Sequence, residues 1–219
     1  MIKLIKMLFT DFIKYIPKIE KEKLLSTDAH AKMAPLERIS YLKEENYINN
    51  NPRKAAVLML FYPKNSIAHL ALIVRNTYPG VHSAQIGFPG GKVEEYDIDL
   101  KQTALRETHE EIGVHPDKVQ IIKTFSEIYI PPSNFLVSPF MGISHEELIF
   151  IPDLEEVKRV LEFPVADFLD EKSITKTKMP TSYAVDIEVP AFMVDKYIVW
   201  GATAMMMSEL KETIKSALL

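Results

Sequence analysis

Apolar positions near the start of the chain, Ile2, Ile5, Phe9, Phe12 and Ile16, recur at helical spacing, while Lys3, Lys6, Thr10 and Lys14 take the other faces. The spacing predicts an amphipathic helix ending near Pro17 and docked on the protein's own core, with a membrane-surface anchor as the alternative for a basic segment. A second helix is predicted over 35–45, and Asn49-Asn50-Asn51-Pro52 then breaks the pattern. Strand-like runs follow at 55–62 and 67–74, joined by a hairpin turn at Pro63-Lys64-Asn65-Ser66, and again at 119–125, 135–143, 148–151 and 184–194. Helical periodicity marks 100–112, 154–162 and 203–217. Hairpin strands with a few intervening helices predict an α/β chain whose mixed sheet is covered by helices on both faces, in preference to a doubly wound dinucleotide fold.

Composition narrows the function classes. A length of 219 residues favours one cored domain with extensions, so a single site is sought. The net charge of -4 gives no general positive field, which argues against a nucleic-acid partner and means that an anionic substrate needs local cations. The absence of cysteine removes disulfides, thiolate metal sites and cysteine nucleophiles, and is compatible with a reducing, cytoplasmic location. No run of about 18 apolar residues occurs, so no membrane span is expected.

The chain has 7 glycines, and Gly80, Gly87, Gly90 and Gly91 crowd into one stretch. Such clustering marks either a tight turn or a backbone that must approach something closely. Leu100, Ala104, Leu105, Thr108 and Ile112 then form the apolar stripe of a helix that Gly113 stops, with Asp97 and Asp99 where a cap and favourable dipole charge are expected. Glu107, Glu110 and Glu111 share one surface of this helix. They form either a solvated acidic face or, since three anions repel unless countered, a seat for Mg²⁺ or Mn²⁺. Arg106 either orients one of these carboxylates or makes a surface ion pair of little worth. His109, at about 100° per residue, points away from Glu107 and is set aside.

The stretch 88–114, FPGGKVEEYDIDLKQTALRETHEEIGV, resembles the signature box of Nudix hydrolases through Arg106, Glu107, Glu110, Glu111 and Gly113. The resemblance implies an α/β/α sandwich with a mixed β-sheet and Mg²⁺- or Mn²⁺-dependent hydrolysis of a nucleoside diphosphate linked to another group. It assigns Arg106, Glu107, Glu110 and Glu111 to catalysis. Glu107 and Glu111 become the principal metal ligands, Glu110 a further one, the Gly90 carbonyl a backbone ligand, and Arg106 the residue that orients the glutamates. The box usually carries a glutamate eight positions before the arginine, where this chain has Ile98; Asp97 stands one place earlier.

That shift, with Asp99, resembles the coenzyme A pyrophosphatase branch, and LALIVRNTYPGVHSAQIGFPGG is similar to that branch's own motif, apart from Gly80 and Ala84, where arginine and glycine are commonest. The implied substrate contacts are Arg75, His82, Gln85, Phe88, Gly90 and Gly91, with Ser83 also in a matching place. The implied partner is a coenzyme A-type nucleotide cleaved to 3′,5′-ADP and 4′-phosphopantetheine. ADP-ribose or a dinucleotide is the alternative substrate, and a nucleotide-binding regulator without hydrolysis the alternative class. Residues 1–50 are expected to form an N-terminal helical extension packed on the core and 51–219 the hydrolase domain; a homodimer is left open. Glu127 and Glu156 are the candidates for a general base, and Trp200 and Phe192 are expected to pack in the core or to stack on a ligand.

Overall fold

The computed structural model describes residues 6–76, 85–179 and 187–219. Eight strands form one sheet: β1 (Arg53–Lys64), β2 (Ile67–Arg75), β3 (Ile86–Gly87), β4 (Gly90–Lys92), β5 (Gln120–Thr124), β6 (Ile128–Ile130), β7 (Phe135–Ile143) and β8 (Val157–Pro164). A second sheet has β9 (Ile174–Met179), β10 (Ile187–Val194) and β11 (Tyr197–Val199). The helices are α1 (Phe9–Phe12), α2 (Ile16–Lys21), α3 (Thr27–Ala31), α4 (Leu100–Ile112), α5 (Val165–Leu169) and α6 (Gly201–Leu218). None of the described helices is long and apolar enough to cross a membrane.

Strand β1 explains the layering. Successive side chains of a strand point to opposite faces. Val57, Met59 and Phe61 join one core with Phe12 and Ile19 of the N-terminal helices and Met205 and Leu210 of α6. Ala56, Leu58, Leu60 and Tyr62 join another with Ala104 and Ile112 of α4. A strand buried on both faces reads as a continuous apolar run, and here that run marks the middle layer of a helix–sheet–helix sandwich. Its β7 edge is parallel, in register from Arg53↔Phe135 to Phe61↔Ile143, while the other pairings of the large sheet are antiparallel, so the sheet is mixed.

Strands β1 and β2 pair only beside their turn, from Phe61↔Leu70 to Lys64↔Ile67. Farther along they part. β1 takes β4 at Ala55 to Val57, and β2 takes β3 at Ile73 and Val74, so residues 86–92 wedge into the opening between them. This wedge carries the paired glycines toward α4.

The sequence expectations hold closely for α4, β2, β5 and β7, and α6 extends the expected helix by a turn's fraction at each end. Four departures have physical causes. Pro17 does not end the first helix; it lies in the first turn of α2, where its missing N–H costs nothing. The helix expected over 35–45 is 3-10 structure, Leu36–Leu42 and Glu44–Asn46. The stretch 154–162 contributes to strand β8, whose Val157, Leu161 and Phe163 are buried, because the outer edge of β2 offers an unmatched row of backbone groups. Residues 148–151 form no strand; their neighbours turn instead to the end of α4, with the Ile151 N–H donating to the Ile112 carbonyl and that of Asp153 to Glu111.

The N-terminal segment is held by two buried groups. Glu209 of α6 accepts from the Ser26 N–H at 2.7 Å and from the Ser126 N–H and hydroxyl at 3.0 and 2.7 Å, with His30 Nε2 at 3.5 Å. Tyr129 of β6 stacks on Tyr47 at 4.8 Å between ring centroids, accepts from the Asn50 amide, and donates to Asn134; its carbonyl accepts from Arg38 Nη2 at 2.6 Å.

Candidate active site

Helix α4 is fixed at both ends by its own sequence. The Asp99 carboxylate caps it by accepting from the Gln102 N–H at 2.8 Å, and Gly113, with φ of 75°, closes it through an N–H bond to the His109 carbonyl. The glycine loop packs across it. Gly90 has φ of +146°, and a Cβ there would lie 2.3 Å from the Ala56 carbonyl oxygen; at Gly91 one would lie 2.4 Å from a Glu107 carboxylate oxygen. Gly90 therefore needs glycine for its backbone approach and its φ, while the lack of a Cβ at Gly91 admits the Glu107 carboxylate where it lies. Gly90→Ala should cost about 3 kcal/mol or more, from a strained φ plus overpacking, read as a fall in the urea midpoint. A variant as stable as the parent would contradict this geometry.

Arg106 organises the acidic surface. Its Nε and Nη2 form a two-pronged contact with Asp97, each at 2.9 Å, while Nη1 donates to Glu107 and to Glu110 at 2.8 Å each, and Nη2 also to the Lys92 carbonyl at 3.1 Å. Asp97, its side chain fully covered, further accepts from the Thr103 hydroxyl and the Glu94 N–H. The Arg106 bonds hold the Asp97 carboxyl at about 2, and the Asp97 bonds push the Arg106 guanidinium above its ordinary value. Asp97, one place out of the usual register, is thus the clamp that aims Arg106.

Glu111 faces the opposite way, into the wedge. Its side chain is 1% exposed, with Oε2 accepting from the Gly90 N–H at 2.7 Å and Oε1 lying 3.3 Å from Arg75 Nη1. Arg75 Nη2 in turn donates to the Gly90 carbonyl at 2.9 Å. Burial pushes the Glu111 carboxyl up to about 7, a rise that Arg75 and the Gly90 N–H only partly offset and that Glu107 and Glu156 add to. Burial likewise raises Glu107, against the pull of Arg106.

These residues suit a divalent cation in charge and in donor type. Around α4 the wall carries Glu107, Glu110, Glu111 and Glu156 against Arg75 and Arg106, an excess of negative charge, and every donor is a hard oxygen of the kind Mg²⁺ and Mn²⁺ take. Among the described residues, no three acidic or histidine side chains stand ready in a metal-holding cluster, because the two guanidiniums divide the carboxylates between them. Glu111, although paired with Arg75, is pushed up to about 7 by its burial.

A pH dependence follows. Because its folded-state value lies above the ordinary 4.5, Glu111 contributes stability that is present below about 4.5 and lost as pH rises through about 7. Denaturation in a chelator should show a loss on the order of 3 kcal/mol across that window. Added Mg²⁺ should raise the melting temperature more at pH 8 than at pH 5.5, since binding releases the proton. An equal shift at both pH values would contradict the assignment.

The expected contact residues Arg75, Gln85, Phe88, Gly90 and Gly91 all line one cavity of about 760 Å³, together with Arg106, Glu107, Glu110 and Glu111. Glu110, with 54% of its side chain exposed, sits at the outer edge. His82 and Ser83 lie outside the described residues, as do Gly80 and Ala84. Of the two candidate bases, Glu156 lines the cavity, whereas Glu127 is exposed and accepts from the Ser138 hydroxyl at 2.6 Å. Phe192 is core, but Trp200 is half-buried on the cavity wall. Sequence reasoning missed other parts of that wall: Pro35, Glu37 and Arg38 from the N-terminal segment, Ile130 at the end of β6 with Pro132 and Ser133 after it, and the first turn of α6. The signal for two of these stretches was the similarity of YIPPSNFLVSPF and IVWGATAMMMSEL to the coenzyme A branch, which named the segments but assigned none of their residues to the site.

A family model described as the NUDIX domain matches residues 50–181. The chain is 29% identical over 191 residues to Nudix hydrolase 22, chloroplastic, of Arabidopsis thaliana, covering 84% of this chain and 63% of that protein, so it spans just under two thirds of that relative's length. It is also 29% identical over 159 residues to a mitochondrial coenzyme A diphosphatase of Mus musculus, covering 72% of this chain and 76% of the relative. The fold is similar to the crystal structure of a Nudix hydrolase from M. Smegmatis, with a TM-score of 0.52 at 15% identity over 75% of this chain and 87% of the other.

Proposed function

The chain belongs to the Nudix hydrolase family, and from that premise we propose that it hydrolyses the pyrophosphate bond of coenzyme A or its derivatives, giving 3′,5′-ADP and 4′-phosphopantetheine or its acyl form. The observation that carries this reading is the single cavity in which the acidic face of α4 is continuous with an apolar wall of Ile130, Phe135, Val137, Trp200 and Met206. Such a cavity suits a substrate with a charged anhydride and a less polar arm. The name of the mouse relative and the similarity of residues 70–91 to the coenzyme A branch support the same substrate.

In this reading Glu107 and Glu111, with the Gly90 carbonyl, would hold Mg²⁺ or Mn²⁺, with Glu110 a further ligand. When bound, the ion would supply Lewis-acid polarisation of phosphoryl oxygen and a lowered pKa for the attacking water. Arg106, aimed by Asp97, fixes Glu107 and Glu110 before substrate arrives, so little reorganisation accompanies the reaction. Arg75, which donates to the Gly90 carbonyl and pairs with Glu111, is the guanidinium fork placed to meet substrate phosphate on this side of the cavity. Glu156 is the base that takes the proton from water as the bridging P–O bond breaks. Residues 51–219 form the catalytic unit, and 1–50 an extension that completes the cavity.

ADP-ribose or a dinucleotide is the second reading, favoured by the departures at Gly80 and Ala84. A binding module without hydrolysis is disfavoured because it has no use for Glu107, Glu110 and Glu111 together. Initial rates on coenzyme A, ADP-ribose and a dinucleoside polyphosphate with Mg²⁺ or Mn²⁺ separate the three. Higher kcat/KM on coenzyme A supports the proposal; higher kcat/KM on either other substrate replaces it, and binding without turnover of any supports the regulator.

A further inference from the structure

The acidic cluster forms one wall of the cavity; away from it Arg38 and Ser133 lie on the lining, and Arg53, off the lining, is bonded to Ser133, and none of the three has a part in the hydrolysis. Arg38 reaches the cavity from the N-terminal 3-10 stretch Leu36–Leu42, outside the 50–181 match, and is held in place through its Nη2 bond to the Tyr129 carbonyl. Four residues beyond Tyr129, Ser133 lines the same cavity, and its buried Oγ has no hydrogen-bond partner among the described residues. Beside it, the exposed Arg53 donates from Nη2 to the Ser133 carbonyl at 2.9 Å, and its guanidinium carbon lies 4.1 Å from the centroid of the Phe135 ring. Lys92 is near enough to Arg53 to feel its charge. The exposed Glu37 is the one carboxylate that the 3-10 stretch adds to the cavity wall.

Two guanidiniums, one bonded to the Tyr129 carbonyl and one to the carbonyl of Ser133, and a hydroxyl on the same cavity match the needs of a phosphate monoester: a guanidinium has five N–H donors and can bond a phosphate while it holds a carbonyl, and the hydroxyl can donate one more. An orphaned buried hydroxyl also calls for an explanation, and a ligand oxygen supplies one. We propose that Arg38, Arg53 and Ser133 form a subsite for a phosphate monoester that the substrate carries away from its scissile pyrophosphate. The subsite deepens the reading above and rests on it: in coenzyme A the group it holds is the phosphate on the ribose 3′ oxygen. It makes the N-terminal segment, docked through Tyr129, a determinant of which nucleotides are admitted.

The test compares coenzyme A with its 3′-dephospho form in the wild type, Arg38→Ala and Arg53→Ala. The wild type should favour coenzyme A in kcat/KM by about 10- to 100-fold, the range of a charged hydrogen bond. Each variant should bring that ratio toward one by raising KM for coenzyme A, with kcat little changed and the dephospho substrate unaffected. Arg38→Lys should retain part of the preference. Equal losses on both substrates, as a purely structural role would give, or an unchanged ratio in both variants, would overturn the subsite. If the wild type leaves both substrates intact but cleaves another nucleoside diphosphate derivative, the coenzyme A reading fails while the subsite is still judged by binding. Trp200, the chain's 1 tryptophan, lines the cavity and reports binding by its fluorescence. Tighter binding of 3′,5′-ADP than of 5′-AMP, lost in Arg38→Ala, supports the subsite, and equal binding of the two overturns it.

Discussion

Glu111→Gln should lower kcat for pyrophosphate cleavage by on the order of 10³-fold or more while leaving the protein folded. The amide oxygen can still accept from the Gly90 N–H, and the side chain keeps its volume in a place that is 1% exposed. The charge is lost, and with it the pairing to Arg75, because the amide nitrogen that then faces the guanidinium cannot accept. Because burial pushes this carboxyl up to about 7, its replacement removes a group that is costly to ionise, so in a chelator at pH 8 the variant should be at least as stable as the parent. A group kept for stability would behave in the opposite way. Steady-state rates together with chelator melts distinguish the two: loss of stability with rate retained within tenfold would remove Glu111 from the reaction.

Arg106→Ala should be the most damaging change to the site as a whole. It removes the partner of Asp97, whose side chain is fully covered, and frees Glu107 and Glu110 from the bonds that hold them. Breaking a buried pair from one side costs about 3–5 kcal/mol, and activity should fall with the disordering of Glu107. Lysine should rescue poorly, because one ammonium cannot span two carboxylates and Asp97 as a planar fork does. Asp97 supplies an acid signature. Its folded value of about 2 lies below the ordinary 3.8, so the pair's contribution is present above about 3.8 and lost as pH falls through about 2. Urea denaturation of Arg106→Ala should show a lowered midpoint at pH 7 and no loss attributable to this pair on acidification. A midpoint equal to the parent's would contradict the clamp.

What the sequence disclosed and what it concealed divide along the range of the interactions. Helix α4 was legible residue by residue because its signals are local: Asp99 at the cap, an apolar stripe, and Gly113 beyond the last turn. Strand β7 was equally legible as an apolar run bounded by Asn134, which takes the left-handed conformation. The stretch 154–162 misled because Val157, Val160 and Leu161 fit a helical repeat, yet the open edge of β2 stabilised it as a strand. The residues of the acidic face were identifiable, but their division between Arg75 and Arg106 depends on the wedge between β1 and β2, a contact between positions 75, 90 and 111 that no local pattern encodes. Asp97 was visible as a register shift, and the fold gave it a use that spacing alone could not: a covered carboxylate that aims an arginine. The N-terminal wall was invisible for the same reason, since Arg38 reaches the cavity through a bond to Tyr129, 91 positions away.

Cleavage of coenzyme A at the acidic face of α4 should require a divalent cation. Purified protein incubated with coenzyme A and Mg²⁺ in ¹⁸O-labelled water, with products identified by mass spectrometry, tests it most directly. The predicted result is 3′,5′-ADP and 4′-phosphopantetheine in equal amounts, one of the two carrying the label, and neither formed in a chelator. Intact coenzyme A beside turnover of another nucleoside diphosphate derivative, or product formation unaffected by the chelator, would contradict it.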